Sequence, residues 1–335
     1  MAKVSDRNKI SFFIYGKPKT RKTMWATQPV ADNFAVTVLD IENNIYSCRV
    51  HNGFERINRL ELSYSPSFQS PSSKDGYIPA LAFMQALLNC GGKPFVWCED
   101  TRNTVTMGMV KPEYNYCIVS PNKMCHKDVL VLDSWTALLP QVEAAKDLGL
   151  MPDGSMKNPY QLYDKISLGV NISEFGKTRD ICDTLLNTLV SLRCTVVVIG
   201  HEYVWEKKSA DQKSVIATYS QPMSATGAHG QTMSRWFNMS LHTDGDKVST
   251  IPNKTNFCGS SVLPPEENSL DKYTIAMVYN KLNMEVPSTP YESEAFVFKT
   301  GAEILAEHNA KPATATTQSN VVVNVGKPLP TTLPK

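Results

Sequence analysis

The stretch "ISFFIYGKPKTRKT", residues 10–23, carries the strongest indication of the fold of this chain. It is an apolar run that ends in a turn carrying glycine, lysine and threonine, and this order is typical of a strand that leads into a phosphate-binding loop. The usual pattern of such loops is G-x-x-x-x-G-K-[ST], and Arg21 stands where the second glycine is expected. The alternative interpretation is a basic turn before a helix.

The chemistry of a phosphate loop requires backbone N–H groups around the phosphates, a lysine that neutralises them and a hydroxyl for Mg²⁺. Lys22 and Thr23 supply the last two. The side chain of Arg21 has to point away from the phosphates, which we expect from a backbone with negative φ; a guanidinium beside the phosphates could also add charge stabilisation. The residues predicted to bind the nucleotide are Gly16, Lys17, Pro18, Lys19, Thr20, Arg21, Lys22, Thr23 and Met24.

Length and charge leave the class of partner open. The chain has 335 residues, 42% of them hydrophobic, and a net charge of only +2. It can bury one large core, and any nucleic-acid binding has to come from a local basic patch. The sequence has no run of eighteen apolar residues and its first residues, "MAKVSDRNK", lack the apolar stretch of a secretory signal. We therefore predict a cytoplasmic protein without a membrane contact, and thiols that are buried or incidental, although a cysteine metal site is the other interpretation.

Alternating strands and helices predict an α/β fold with a mostly parallel central sheet. Short apolar runs at residues 10–15, 35–39, 129–132 and 195–199 are typical of strands covered on both faces. Helical patterns occupy residues 79–89 and 177–193.

Three segments depart from this alternation. Residues 93–127 contain two strand-like runs and predict a hairpin-like insertion. Residues 203–232 have no hydrophobic period and predict a long loop. The composition collapses to Ala, Thr, Pro, Asn and Val near the C-terminus, so we predict one domain over residues 1–305 and a flexible tail over 306–335.

Two carboxylates follow predicted strands. Asp133 ends the run "VLVLD" and is predicted to hold Mg²⁺ with Thr23, from a strand that adjoins the phosphate loop. Glu42 follows the run "VTVLD" and is predicted to orient the water that attacks the terminal phosphate. The alternatives are a helix-capping aspartate and a solvent-facing acidic turn.

His201 ends the run "TVVVIG" and could respond to the terminal phosphate, although a lone histidine is more often structural. The order of the four motifs resembles the RecA-like ATPase core. More closely, "FFIYGKPKTRKT", "VLDSWTAL" and "VVVIGHE" resemble the phage-encoded RecA-like AAA-type nucleotide-binding proteins, the group that contains the single-strand-annealing recombinases. The resemblance covers about residues 10–263.

The resemblance implies that Lys22, Thr23, Asp133 and Glu42 act as the chemistry suggests, and that His201 takes the place of a phosphate-sensing polar residue. It implies that residues 203–230 match a second DNA-binding loop, and that Lys254, in "TIPNKTNF", reaches the nucleotide of a neighbouring subunit. A homo-oligomer with nucleotide at the subunit interfaces follows, as do single-stranded DNA and phage recombination or single-strand-binding proteins as partners.

The composition of this segment also suits single-stranded DNA. Aromatic side chains stack on bases and lysines follow the phosphates. The residues predicted to bind DNA are Tyr203, Trp205, Lys207, Lys208 and Lys213. The alternative is an ordinary solvated lysine loop.

The leading hypothesis is a Mg²⁺-dependent ATPase that acts on single-stranded DNA in phage recombination or replication. The other class is a nucleotide-dependent binding or scaffold protein with little or no hydrolysis. A nucleotide or small-molecule kinase would need an arginine-rich lid, and the sequence has no such cluster.

Overall fold

The computed structural model describes residues 9–63, 79–148, 172–209, 214–224, 227–252 and 257–310. The strands are β1 (Ser11–Gly16), β2 (Ala35–Asp40), β3 (Asn58–Glu61), β4 (Phe95–Cys98), β5 (Asn103–Val105), β6 (Asn115–Val119), β7 (Asp128–Asp133), β8 (Thr195–Lys208), β9 (Val215–Pro222), β10 (Met239–Thr243), β11 (Lys247–Ser249), β12 (Gly259–Ser260), β13 (Glu267–Ser269) and β14 (Phe296–Thr300).

The α-helices are α1 (Lys22–Thr27), α2 (Pro79–Asn89), α3 (Trp135–Leu148), α4 (Ile172–Ser191), α5 (Gly227–Thr232), α6 (Ile275–Lys281) and α7 (Gly301–Ala310). Short 3₁₀ helices are Gln28–Asp32, Ile45–Cys48, Phe54–Arg56, Met107–Met109, Pro121–Lys123 and Met233–Trp236.

The fold is α/β, with a mixed and mostly parallel sheet flanked by helices, as the alternation predicts. Within the described residues the sheet has ten strands, and six of them run parallel in the order β10-β1-β8-β7-β2-β3, with β3 at one edge. The four strands predicted from apolar runs are confirmed as β1, β2, β7 and the first part of β8. These runs could be recognised because every residue of β1, β2 and β7 is buried.

Each face of the sheet has its own apolar core. Phe12 and Ile14 of β1 pack with α1 and α6 on one face. Phe13 and Tyr15 pack with α2, α3 and α4 on the other, because neighbouring side chains of a strand point to opposite faces. The predicted helix at 79–89 is confirmed as α2, and the one at 177–193 is α4, which begins earlier, at Ile172.

The residues of the predicted hairpin-like insertion, 93–127, contribute three strands to a second sheet that is larger than a hairpin. Strands β4, β5 and β6 form an antiparallel sheet, and β14 completes it by pairing with β6. Helix α7 packs on this second sheet through Ile304. It runs to Ala310, so the predicted start of the tail at 306 was too early, and 311–335 lie outside the described residues.

The prediction of a long loop over 203–232 was wrong. Strand β8 continues beyond the sheet to Lys208 and pairs antiparallel with β9, and α5 follows. We call the paired segments, residues 202–208 and 215–222, the ribbon. Tyr203, Val204 and Val215 are exposed on it. The neighbouring residues Tyr203 and Val204 are both exposed, so the alternation that identifies a half-buried strand is missing there.

Candidate functional site

The predicted phosphate loop lies at the carboxyl edge of the central strands, between β1 and α1. This edge is where open α/β sheets bind ligands. A Cβ on Gly16 would lie 2.1 Å from the carbonyl oxygen of Thr243 on β10, so only glycine allows β1 and β10 to approach this closely. Lys17, Pro18 and Lys19 form the exposed side of the loop, while the buried Thr20 hydroxyl donates to the carbonyl of Lys17 at 2.8 Å.

The ammonium group of Lys22 lies inside the loop. It donates to the carbonyl oxygens of Lys17 at 2.6 Å and Gly16 at 3.1 Å. Burial lowers the pKa of Lys22, and the negative charges of Glu42 and Asp133 oppose that shift. The Lys22 ammonium is thus a buried cation that loop carbonyls hold near two acids. A cation in this position can attract the oxygens of a phosphate group.

Arg21 has a left-handed backbone, with φ of 57°, so our expectation of a negative φ was wrong. The second glycine of the usual pattern is suited to such a conformation, which costs an L-residue about 1–2 kcal/mol. The side chain still points away from the loop. Its Nε and Nη2 donate to the carbonyl of Gly245 at 2.7 and 2.5 Å, and its Nη1 donates to Asp271 at 3.0 Å. The guanidinium is thus engaged by the turn after β10 and does not face Lys22.

Thr23 and Asp133 meet at the start of α1. The Thr23 hydroxyl donates to Asp133 Oδ2 at 2.9 Å. We expected Asp133 on a strand that adjoins the loop, but β8 lies between β1 and β7. Asp133 nevertheless reaches Thr23, because α1 leans across the edge of the sheet and contacts both β8 and β7.

Asp133 is buried, and burial together with the charge of Glu42 raises its pKa to about 7. A carboxyl with this pKa holds its proton for much of the time at neutral pH. A cation placed beside it would favour the ionised form.

Glu42 lies next to Asp133 in the same edge and is held from three sides. Its Oε1 accepts hydrogen bonds from Ser134 Oγ and, at 3.1 Å, His201 Nε2, while Oε2 accepts from Asn44 Nδ2 at 3.0 Å. Burial would raise the pKa of Glu42, but these hydrogen bonds outweigh it and hold the pKa below its ordinary value. Glu42 is therefore ionised at neutral pH and still half-buried.

Asp40, the first acid of the D-x-E pair, has a structural role. Its Oδ1 accepts hydrogen bonds from the backbone N–H groups of Asn43 and Asn44, at 2.7 and 3.3 Å. Its Oδ2 accepts from Arg59 Nε at 2.7 Å. Asp40 thus fixes the turn that carries Glu42.

His201 is brought to the site as the sequence predicts, beside Glu42. Its backbone N–H donates to Thr136 Oγ1 at 2.8 Å. A second pair of the same kind was missed: His242 Nε2 lies 2.9 Å from Glu202 Oε2, on the other side of β1. Burial would raise the pKa of Glu202, but hydrogen bonds from His242 and Ser220 and the charge of Lys17 lower it.

Met24 and Arg21 line a cavity of about 250 Å³ beside the loop. The other residues around it are Trp25, Gln28, Val50, His51, Leu270 and Asp271. It lies on the outer side of α1, next to the guanidinium that ties the loop to Asp271.

Four of the five predicted DNA-binding residues fall on the ribbon. Tyr203 is about half exposed, and Trp205, Lys207 and Lys208 belong to β8. Lys213 and Lys254 lie outside the described residues, so the predictions for them stay predictions.

The oxygen atoms of Thr23 and Asp133 suit a hard cation that takes most of its ligands from water and from a substrate. The described ranges contain no group of three or more His, Cys, Asp and Glu residues that could form a protein cage for a metal. Mg²⁺ is usually bound by one or two protein oxygens together with waters and substrate phosphates, and the Thr23 hydroxyl and the Asp133 carboxylate are such oxygens.

The sequence matches no protein-family model and no curated protein. In the part of the chain that the structure covers, no helix combines the length and the apolar character that a membrane span requires.

Proposed function

We propose that this protein binds ATP with Mg²⁺ and hydrolyses it, in a site of the RecA-like P-loop type. The observation that carries the proposal is the meeting of the Thr23 hydroxyl with the Asp133 carboxylate, 2.9 Å apart, beside the buried Lys22 ammonium. The loop, both acids and His201 come from four different strands. Their convergence at one edge of the sheet supports a site better than any one of the motifs does alone.

Each residue has a role that its environment supports. Lys22 exchanges the carbonyls of Gly16 and Lys17 for phosphate oxygens. Thr23 and Asp133 hold Mg²⁺, which supplies charge neutralisation on the phosphates. Glu42, ionised and fixed by Ser134 and His201, orients the attacking water and accepts its proton.

We further propose that the ribbon binds single-stranded DNA, in recombination or replication of a phage, as the resemblance implies. Exposed Tyr203 supports this, because an aromatic ring on an exposed ribbon can stack on a base. The ribbon begins one residue after His201, so a partner bound there lies close to the nucleotide site.

The test is phosphate release from Mg-ATP by the wild type and by Glu42→Gln, each with and without single-stranded DNA. Two results together support both ATP hydrolysis and DNA binding: DNA accelerates phosphate release by the wild type, and Glu42→Gln abolishes it. Nucleotide binding without release above background from either protein would contradict hydrolysis and favour a nucleotide-dependent binding or scaffold protein.

A further inference from the structure

Three consecutive residues at the start of helix α3, Ser134, Trp135 and Thr136, contact both the candidate nucleotide site and the two ends of the ribbon. Ser134 Oγ donates to Glu42. Trp135 Nε1 donates to Ser224 Oγ at 3.1 Å, two residues after the end of β9. Thr136 Oγ1 accepts from the backbone N–H of His201, where the ribbon begins.

The contact at Ser224 belongs to a hydrogen-bonded cluster that the proposed chemistry does not use. Ser224 Oγ lies 2.5 Å from His229 Nδ1, and His229 Nε2 lies 3.0 Å from Asp183 Oδ1. A neutral imidazole that carries its proton on Nε2 satisfies both contacts, since Ser224 can then donate to Nδ1. The side chain of His229 is fully buried, so the cluster ties the exit of the ribbon to α4 and α5.

The packing around this cluster leaves little room for independent movement. Trp135 is fully buried within the core that also contains Leu138 and Met233. A Cβ on Gly230 would lie 2.2 Å from the carbonyl oxygen of Pro222, so α5 sits directly against the last residue of β9. The backbone N–H of Met223 donates to the carbonyl of His201 at 2.8 Å, which closes the base of the ribbon.

We infer that residues 134–136 form a mechanical link between the nucleotide site and the ribbon. This inference rests on the proposed function, and it concerns the regulation of that site. A ligand that moves Glu42 also moves Ser134. Trp135 then shifts against Ser224, where the ribbon ends, and Thr136 shifts against the backbone of His201, where the ribbon begins. Because coupling free energy is reciprocal, a partner that orders the ribbon also changes the affinity for nucleotide.

The test is amide hydrogen–deuterium exchange of residues 201–224 with and without Mg-ATP, in the wild type, Trp135→Phe and Ser224→Ala. Trp135→Phe removes the donor and keeps an aromatic ring in the core. Trp97→Phe is the matched control, because Trp97 is buried in the same core but lies on β4. The affinity for Mg-ATP is measured in parallel by calorimetry, and thermal unfolding establishes that each variant is folded.

We expect Mg-ATP to change exchange in the ribbon of the wild type and of Trp97→Phe. In Trp135→Phe and Ser224→Ala the ATP-induced change should fall by more than about half while the Kd for ATP stays within about fivefold, the lower limit of typical coupling. An ATP-induced change of wild-type size in both variants would overturn the link, and so would a wild-type ribbon that ATP leaves unchanged. Failure of the wild type to bind ATP at all would be a different result, because it overturns the proposed function and with it any nucleotide-driven signal.

Discussion

Thr23 Oγ1 lies 2.9 Å from Asp133 Oδ2, although 110 positions separate the two residues along the chain. This contact joins the phosphate loop to a strand two places away in the sheet. It places a hydroxyl and a carboxylate, the two protein ligands of the proposed magnesium–nucleotide site, at the same point beside Lys22.

Asp133→Asn should stabilise the protein at neutral pH while it abolishes Mg²⁺-dependent nucleotide binding. The folded pKa of Asp133 is raised from 3.8 to about 7 by burial and by Glu42. Between these values the folded state keeps a proton that the unfolded chain has lost, so wild-type stability falls as pH rises from about 4 to 7. The expected gain at pH 8 is on the order of 2 kcal/mol, below the limit of about 4 kcal/mol that the shift allows.

Thermal unfolding of both proteins between pH 5 and 8 checks this. The difference in Tm should widen as pH rises. A difference that is constant with pH would show that Asp133 is not the titrating group.

Glu42→Gln should lower the rate of ATP hydrolysis by about 10²–10⁴-fold and leave the Kd for ATP within a few-fold, because it removes the proton acceptor and keeps a side chain of similar size. Steady-state phosphate release and nucleotide titration provide the two numbers. Glu113→Gln, an exposed acid of the insertion, is the matched control and should behave as the wild type. Equal turnover in Glu42→Gln and wild type would remove Glu42 from the mechanism.

Two substitutions of Arg21 separate the free-energy cost of its left-handed backbone from the stability that its side-chain hydrogen bonds contribute. Both Arg21→Ala and Arg21→Gly lose the hydrogen bonds to Gly245 and Asp271. Only glycine adopts the left-handed conformation without penalty, so Arg21→Gly should be more stable than Arg21→Ala by about 1 kcal/mol. Urea denaturation of the two variants measures the difference, and equal stabilities would mean that position 21 relaxes to a negative φ.

Tyr203→Ala should weaken binding of single-stranded DNA by about 1–3 kcal/mol, the value of one stacked base. The double variant Lys207→Ala/Lys208→Ala should flatten the dependence of log K on log salt by roughly 1.4, about 0.7 for each phosphate contact to a single strand. Fluorescence anisotropy over a salt series measures both effects, with Tyr114→Ala on the insertion as the control. Unchanged affinity and salt slope in both variants would remove the ribbon as the DNA site.

The parts of the fold that could be predicted are those that leave a local pattern. Strands β1, β2 and β7 are buried on both faces and therefore appear as continuous apolar runs. The spacing of Gly16, Lys22 and Thr23, and an acid at the end of a strand, indicated the site because the carboxyl ends of parallel strands share one edge.

What could not be predicted depends on non-local contacts. Strand β14 joins the insertion by pairing Phe296 with Val119, and no local pattern specifies a partner so distant in sequence. Neighbouring residues of the ribbon such as Tyr203 and Val204 are both exposed, so the segment lacked a period. The contact of Trp135 with Ser224 depends on how the start of α3 packs against the residues that follow β9.

The left-handed φ of Arg21 had a local signal that was misread. The usual pattern has glycine at that position, and glycine marks a turn that needs φ above zero.

The most direct test of the central claim is a calorimetric titration of Mg-ATP into the wild type and into Lys22→Ala, with Lys93→Ala as a control for the loss of an exposed lysine. We expect the wild type and Lys93→Ala to bind ATP equally. Lys22→Ala, once thermal unfolding has established that it is folded, should bind about 10- to 100-fold more weakly, the value of one charged hydrogen bond. ATP binding of equal strength in Lys22→Ala and wild type, or none in the wild type, would contradict the claim that the loop from Gly16 to Thr23 holds a triphosphate.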